Sequence, residues 1–222
     1  MNLKQVTIGF VIVWAFHLLL CAGCASRQVK VALNYAPTGT GLLSDLKPAV
    51  VSLQVVDHRP KEQRNYIGVQ RNTMFGAENT TVISKTPEVQ VVHNALKVEL
   101  ERSGHRVLNP GHGHGEITVN VGLTQFFFDS KASGVDIELV GSIRADVVAS
   151  AGVGNVPQVS FTVESSYRDF VQMGLSRPAF FGVWGIFSSA TSKSHIEKVL
   201  NGTLVEFVRR FCLEPKFRKF FI

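Results

Sequence analysis

The sequence predicts an α+β fold: a two-layer domain with a mostly antiparallel sheet packed by two amphipathic helices, after a signal peptide and a flexible tether. Three observations carry it. Residues 117–167 hold three long segments in which apolar side chains alternate with polar ones, the period of half-buried strands. Two other segments, after Pro87 and after His195, space their apolar residues three and four apart, the period of a helix with one buried face. The first 26 residues follow the charged, apolar, small-residue order of a secretory leader.

In the leader, Lys4 precedes an apolar run from Val6 to Leu20, and Ala22 and Gly23 lead into Cys24. The run is about 15 residues, short of the roughly 20 that cross a bilayer as a helix, and His17 interrupts its far end. Ala22-Gly23-Cys24 resembles a lipobox, in which a thiol is diacylated and the chain is cut before it. Small side chains suit a narrow peptidase groove, and a thiol is the nucleophile that a thioether requires. The usual leucine three residues before the modified cysteine is replaced by Cys21, with Leu20 one step further out. Modification at Cys21 instead would place bulky Leu20 at the cut. The resemblance implies a signal peptide over 1–23, acyl chains on Cys24, and a membrane held through them. Two or three chains anchor durably where one binds reversibly. Ala25, not Asp, follows Cys24, which by analogy with enterobacterial sorting implies the outer membrane, facing the periplasm.

The rest of the chain divides in order. Residues 24–46 carry Pro37 and the run Thr38-Gly39-Thr40-Gly41 with little periodicity, and are expected to be a lipidated N-terminus and tether, with a short edge strand near Val29–Leu33. A single domain is expected over 47–213. Val51, Leu53 and Val55 alternate with Ser52 and Gln54 up to Asp57-His58-Arg59-Pro60, where Pro60 breaks the ladder. Arg64–Glu78 reads as a long loop and Thr80–Ser84 as a short strand. Thr86-Pro87-Glu88 reads as a helix start with Thr86 as the cap; Val89, Val92, Leu96 and Leu100 mark one face, and Ser103-Gly104 ends it. His105–Leu108 reads as a strand, and Asn109-Pro110-Gly111 as a turn. The three alternating strands follow. The last helix carries Ile196, Val199, Leu200, Thr203, Leu204, Phe207, Val208 and Phe211 on one face. Residues 214–222 are expected to be a basic, aromatic tail.

Charge and cysteines narrow the partners. The 222 residues carry a formal net charge of +6, and loss of Lys4 with the leader leaves +5. Much of the excess falls late, at Arg209, Arg210, Lys216, Arg218 and Lys219. In an envelope protein such a balance fits an anionic surface or simple solubility better than nucleic acid, which is not an expected partner. Cys212 is the one thiol left after the leader is cut and Cys24 acylated, so no internal disulfide is expected. Its neighbours Phe207, Val208, Phe211 and Leu213 imply a buried, inert side chain.

Chemistry-bearing motifs are sparse. Gly111-His112-Gly113-His114-Gly115 places two imidazoles two residues apart, but only Glu116 is near as a further ligand, and the glycines suit a hairpin connection. Asp57-His58-Arg59 has the elements of acid–base work, yet a carboxylate at a strand end paired to Arg59 explains it as well. The chain has no Gly-x-Ser-x-Gly, phosphate-binding glycine loop, zinc-spaced cysteine set or dinucleotide fingerprint. No enzyme activity, cofactor or metal is therefore expected. Gly174–Phe187 is unusual: Phe180, Phe181, Val183, Trp184, Ile186 and Phe187 occur with no charge after Arg177, at neither helical nor alternating spacing. Three readings stay open for it: a loop closing the core, a patch that binds a partner, or a segment dipping into the bilayer. Phe180, Phe181, Trp184 and Phe187 are the candidate contact residues, with Lys193, Lys216, Arg218 and Lys219 facing the same anionic surface.

Ala22-Gly23-Cys24, the strand ending Val56-Asp57-His58-Arg59 with Ile67-Gly68 after it, the helix closing at Gly104 before Val107, and the last amphipathic helix together resemble the YajG-like family of bacterial lipoproteins. The resemblance spans roughly Lys47 to Phe211 and implies an α+β envelope domain without assigning an activity or catalytic residues. The His-Gly loop and the aromatic segment depart from it. The function expected is a lipid-anchored envelope protein of binding or accessory type. The alternative is a lipoprotein that holds a small or lipidic ligand between sheet and helices.

Overall fold

The computed structural model describes residues 27–71, 78–108, 115–133, 136–152, 158–172 and 192–222. It is an α+β domain built on one mixed, open sheet of eight strands: β1 (Arg27–Val31), β2 (Val50–Asp57), β3 (Gly68–Arg71), β4 (Glu78–Ser84), β5 (Arg106–Leu108), β6 (Ile117–Ser133), β7 (Asp136–Ala151) and β8 (Gln158–Gln172). Among the described residues three α-helices accompany them: α1 (Glu88–Arg102), α2 (Lys193–Leu213) and the short α3 (Pro215–Arg218).

The three alternating segments become β6, β7 and β8, joined in two long antiparallel ladders. Their alternation is realised in burial. Leu139, Ile143, Ala145, Val147 and Phe161 lie at or below 9% exposure, while Arg144, Asp146, Thr162, Glu164 and Arg168 face solvent. A register shift between Leu123 and Gln125 adds one residue to β6, so Phe126 and Phe128 keep facing the core.

The other edge of β6 is shared. Its first half pairs in parallel with β2, from Val51–Ile117 to Asp57–Leu123, and its second half pairs in parallel with β3 at Gly68–Phe128 and Val69–Asp129. Parallel neighbours need a crossover, and α1 supplies it between β2 and β5, which pair from Val50–Arg106 to Ser52–Leu108. β3 turns back antiparallel onto β4, and β4 pairs in parallel with β1 at the edge. The region expected as one long loop from Arg64 to Glu78 thus contains a strand, β3. Four residues are too few to show a period, and what holds them is pairing with β4 along their length and of Gly68 and Val69 with β6.

α1 starts one residue later than its sequence signature. Pro87, not Thr86, stands at the cap; no side chain caps the helix, and the Val91 N–H donates to the Pro87 carbonyl. The C-terminus is as expected. Gly104 takes φ 91°, its N–H donates to the Glu101 carbonyl, and the His105 N–H donates to Leu100, the paired bonds that close a helix through a left-handed glycine. Val91, Val92, Ala95, Leu96 and Leu100 are buried, with Val89 partly so.

α2 presents the predicted face without exception: Ile196, Val199, Leu200, Thr203, Leu204, Phe207, Val208 and Phe211 are all at 0% exposure. It comes unusually close to the sheet at Gly141, where a Cβ would overlap Thr203. Thr203 satisfies its own hydroxyl on the Val199 carbonyl, and its carbonyl accepts from Ser165 Oγ at 3.2 Å. Cys212 is buried too, and burial raises its thiol pKa, so the thiol stays protonated and inert.

Two segments read as peripheral are packed into the domain. The tether expected over 24–46 does not extend through residues 27–46: β1 pairs with β4, and Val31 and Leu43 are at 0% exposure with Leu33 at 8%. The 214–222 tail folds as α3 and a 3-10 turn, with Phe217 at 0% and Phe221 at 2%. Phe217 lies 4.5 Å from the ring of Phe211 and 5.1 Å edge-on from Phe221, which in turn stacks 4.5 Å from His105. Apolar area removed from water at about 25 cal/mol per Å² outweighs the ordering of so short a tail when two phenylalanines are buried.

Candidate functional site

The strongest chemical cluster in the sequence, Asp57-His58-Arg59, is split by the strand. β2 ends at Asp57, and the chain turns so that Arg59 enters the core at 2% exposure while His58 stays exposed. The Arg59 Nε donates to Asp57 Oδ1 at 3.0 Å, and Nη2 donates to Asp57 Oδ2 at 2.8 Å and to Glu88 Oε2 at 2.9 Å. The Arg59 N–H also donates to Asp57 Oδ1 at 3.1 Å. The guanidinium therefore ties the end of β2 to the first turn of α1, where a carboxylate is further favoured by the helix dipole. Burial pushes the Asp57 carboxyl up, but hydrogen bonds and charge from Arg59 outweigh it and hold it below the usual range. Arg59 is a clamp, and a carboxylate held ionised in two of its bonds is a poor general base. His58 lies on the opposite face, its ring against Gly122.

A second buried carboxylate secures the segment before β2. Glu99, at 2% exposure, accepts from the Tyr35 hydroxyl at 2.6 Å and from the Leu42 N–H at 2.7 Å. Burial first, and then the bond to Glu99, raise the Tyr35 phenol pKa. Ser103 Oγ accepts from the Leu43 N–H at 3.1 Å. No motif in the sequence announced this network. Its partners are about 60 residues apart, and only their meeting gives Glu99 a role.

His105 is a third buried titratable group, at 3% exposure. Its Nδ1 accepts from the Ala49 N–H at 3.3 Å, and burial lowers its pKa, which keeps the ring neutral. It packs on Phe221, the ring centroids 4.5 Å apart.

An open groove of about 470 Å³ lies at the rim between β8 and the end of α2. It is lined by Thr162, Val163, Glu164, Arg209, Arg210 and Leu213 among others. Its cations are already engaged. Arg209 grips Glu206 through Nε at 2.7 Å and Nη2 at 2.8 Å, and Arg210 Nε reaches the same carboxylate at 2.6 Å. Hydrogen bonds from Arg209 and then from Arg210 offset partial burial and bring Glu206 down to about 2. Arg210 Nη1 also donates to the Glu164 carbonyl at 2.9 Å, so it shields part of the β8 edge. The layer between sheet and helices, where a ligand was one expectation, is filled instead by side chains at 0% exposure such as Leu139, Ile143, Val199 and Leu204.

Cys24, Phe180, Phe181, Trp184, Phe187, His112 and His114 lie outside the described residues, as does the leader expected over 1–23. The ends that flank the aromatic segment are described. Gln172 closes β8 and Ser192 precedes α2, and both lie at the end of the sheet where β1 begins. The basic residues grouped with that segment do not all stay near it. α2 runs 21 residues, about 31 Å, so Lys193 and the Lys216–Lys219 stretch stand at opposite ends. Arg218 is also spent inside the fold, donating to Asp45 Oδ2 at 2.6 Å and to the Leu42 carbonyl at 3.2 Å. Among the described residues no three His, Cys, Asp or Glu side chains converge as metal ligands, and no helix is long and apolar enough to cross a membrane.

No protein-family model matches the sequence, and no curated protein matches it either. Solved structures do. A Xanthomonas campestris protein of the DUF330 family aligns over 87% of this chain and 96% of its own at a TM-score of 0.50, with 9% identity. That likeness is one of fold. A minor lipoprotein from Acinetobacter baumannii aligns at 0.38 with 11% identity, over 78% of this chain and 95% of its own. A lipoprotein from Neisseria meningitidis aligns at 0.31 with 10% identity, over 55% and 84%. Bacterial lipoproteins thus stand among the structural neighbours, the last two at a distance too great to bear on this chain's chemistry.

Proposed function

We propose that this chain is a lipid-anchored protein of the bacterial envelope, of YajG-like kind, with a binding or accessory role and no catalysis of its own. The observation that carries the reading is the Ala22-Gly23-Cys24 triplet placed directly before a folded domain: β1 begins at Arg27, three residues after Cys24. Acyl chains on Cys24 then serve as the membrane partner, and the Ala25 position favours the outer membrane, facing the periplasm. The non-catalytic part of the reading draws on the clamp role of Asp57 and Arg59 and on the buried, neutral His105. Phe180, Phe181, Trp184 and Phe187 remain the residues assigned to contact with an envelope partner or the membrane.

Mass spectrometry of the mature N-terminus tests the proposal. The expected chain begins at Cys24 with two or three acyl chains, and Cys24→Ser yields either an uncleaved precursor or an unlipidated domain. A native protein that still begins at Met1, or that carries an unmodified Cys24, overturns it.

A further inference from the structure

We infer that the end of the sheet formed by the start of β1, the β6–β7 hairpin and the finish of β8 lies against the phospholipid headgroups, with the C-terminal helices pointing away from the membrane. The inference rests on the lipid anchor at Cys24 and specifies how the domain stands on it.

The first support is reach. Three residues separate Cys24 from Arg27, and an extended chain covers at most about 3.6 Å per residue, so Arg27 stays within about 11 Å of the acylated residue. A true tether would leave the orientation free; this connection does not.

The second is register. Arg27 pairs with Thr80, Thr80 pairs with Gln70, and β3 runs beside β6 with Val69 opposite Asp129. Arg27 is therefore level with Ser130, and across the sheet with Leu139 and Asp169. β1 runs parallel to β4 and opposite to β6, so its first residue, Arg27, is the one at the β6–β7 hairpin end of the sheet.

The third is what that end displays. Lys131, Glu138 and Phe170 form one row across β6, β7 and β8. Phe170 is 60% exposed, the most exposed aromatic side chain among the described residues. A phenylalanine held out of the core suits the boundary between headgroups and acyl chains. Two ion pairs stand at that end, Arg168 with Glu138 at 3.2 Å and Lys198 with Asp169 at 2.7 Å. At the opposite end lies Gln158, 12 residues from Phe170 along β8, about 40 Å; Lys216 stands on that side too, its neighbour Phe217 lying 6.4 Å from Phe161.

The test uses the lipidated protein in vesicles of phosphatidylethanolamine and phosphatidylglycerol containing nitroxide-headgroup lipid. Single cysteines at exposed positions carry a fluorophore: Lys131→Cys and Phe170→Cys at the near end, Gln158→Cys and Lys216→Cys at the far end. Cys24 is then in thioether linkage and Cys212 is buried, so the introduced thiol takes the label. Loss of emission at Lys131→Cys and Phe170→Cys, with none at Gln158→Cys or Lys216→Cys, is the expected pattern; aqueous iodide gives the reverse. Equal quenching at both ends, quenching at the far end alone, or none at the near end overturns the orientation, provided mass spectrometry finds Cys24 acylated. An unmodified Cys24 overturns the anchor on which the inference rests.

Discussion

Replacing Arg59 with alanine tests the central reading of the Asp57-His58-Arg59 motif, that it holds the fold together. The substitution removes three charge-assisted side-chain hydrogen bonds, of 3.0, 2.8 and 2.9 Å, and leaves two carboxylates without their shared cation. Breaking a buried ion pair from one side costs about 3–5 kcal/mol, because the remaining charge is stranded in low dielectric. Here the Asp57 and Glu88 side chains keep 20% and 10% exposure. Arg64 also stays 3.9 Å from Asp57, so the lower end, about 3 kcal/mol, is expected. For a domain of this size about 1 kcal/mol moves the melting temperature by roughly 2–4 °C, which converts to a drop of roughly 6–12 °C. Urea denaturation of the soluble domain without the leader is the assay, followed by circular dichroism at pH 7. The pH dependence adds a second readout. Asp57 has a folded-state pKa below its ordinary value of 3.8. Its contribution is therefore complete above that value and is lost as pH falls through the lower, folded one. Arg59→Ala removes that part of the acid transition. A midpoint within error of the parent, with an unchanged denaturant slope, refutes the clamp.

Two further substitutions probe other parts of the fold. Leu204→Ala should cost about 2–5 kcal/mol, as large-to-small changes at fully buried sites do, since Leu204 has no exposure against the sheet; an unaltered urea midpoint would show that α2 is not docked there. His105 has a folded-state pKa below its ordinary 6.5. The unfolded chain therefore takes up the proton first, and stability should decline as pH falls below about 6.5. The decline between pH 7 and 5 should be shallower in His105→Gln, and equal slopes in the two proteins would count against a neutral, buried ring.

Much of the fold is legible in sequence wherever the deciding forces are periodic or local. β6, β7 and β8 are long enough for alternation to declare a buried and a wet face. α2 repeats its apolar spacing over 21 residues, and Gly104 ends α1 because a left-handed residue is needed there. The pairing of Asp57 with Arg59 is likewise local, two residues apart. Other features left no such trace. β3 is four residues long and is a strand because β4 on one side and half an edge of β6 on the other pair with it. Leu33, Leu43, Phe217 and Phe221 are apolar residues in otherwise unpatterned stretches, and their burial follows from surfaces supplied by α1, α2 and β8.

The sequence by itself therefore determined the α+β class and the helical and strand faces. Only tertiary structure decided that β6 divides one edge between two parallel partners, and that the presumed tether and tail are packed. It also decided that Glu99 rather than a loop sequence holds residues 35–43, and that the chain enters the sheet at the end where β8 finishes. The reason is physical. Alternation and helical spacing are enforced residue by residue by burial on one face. Parallel pairing and the docking of short segments depend on contacts between positions as far as 57 to 176 residues apart, and no single stretch of chain encodes those.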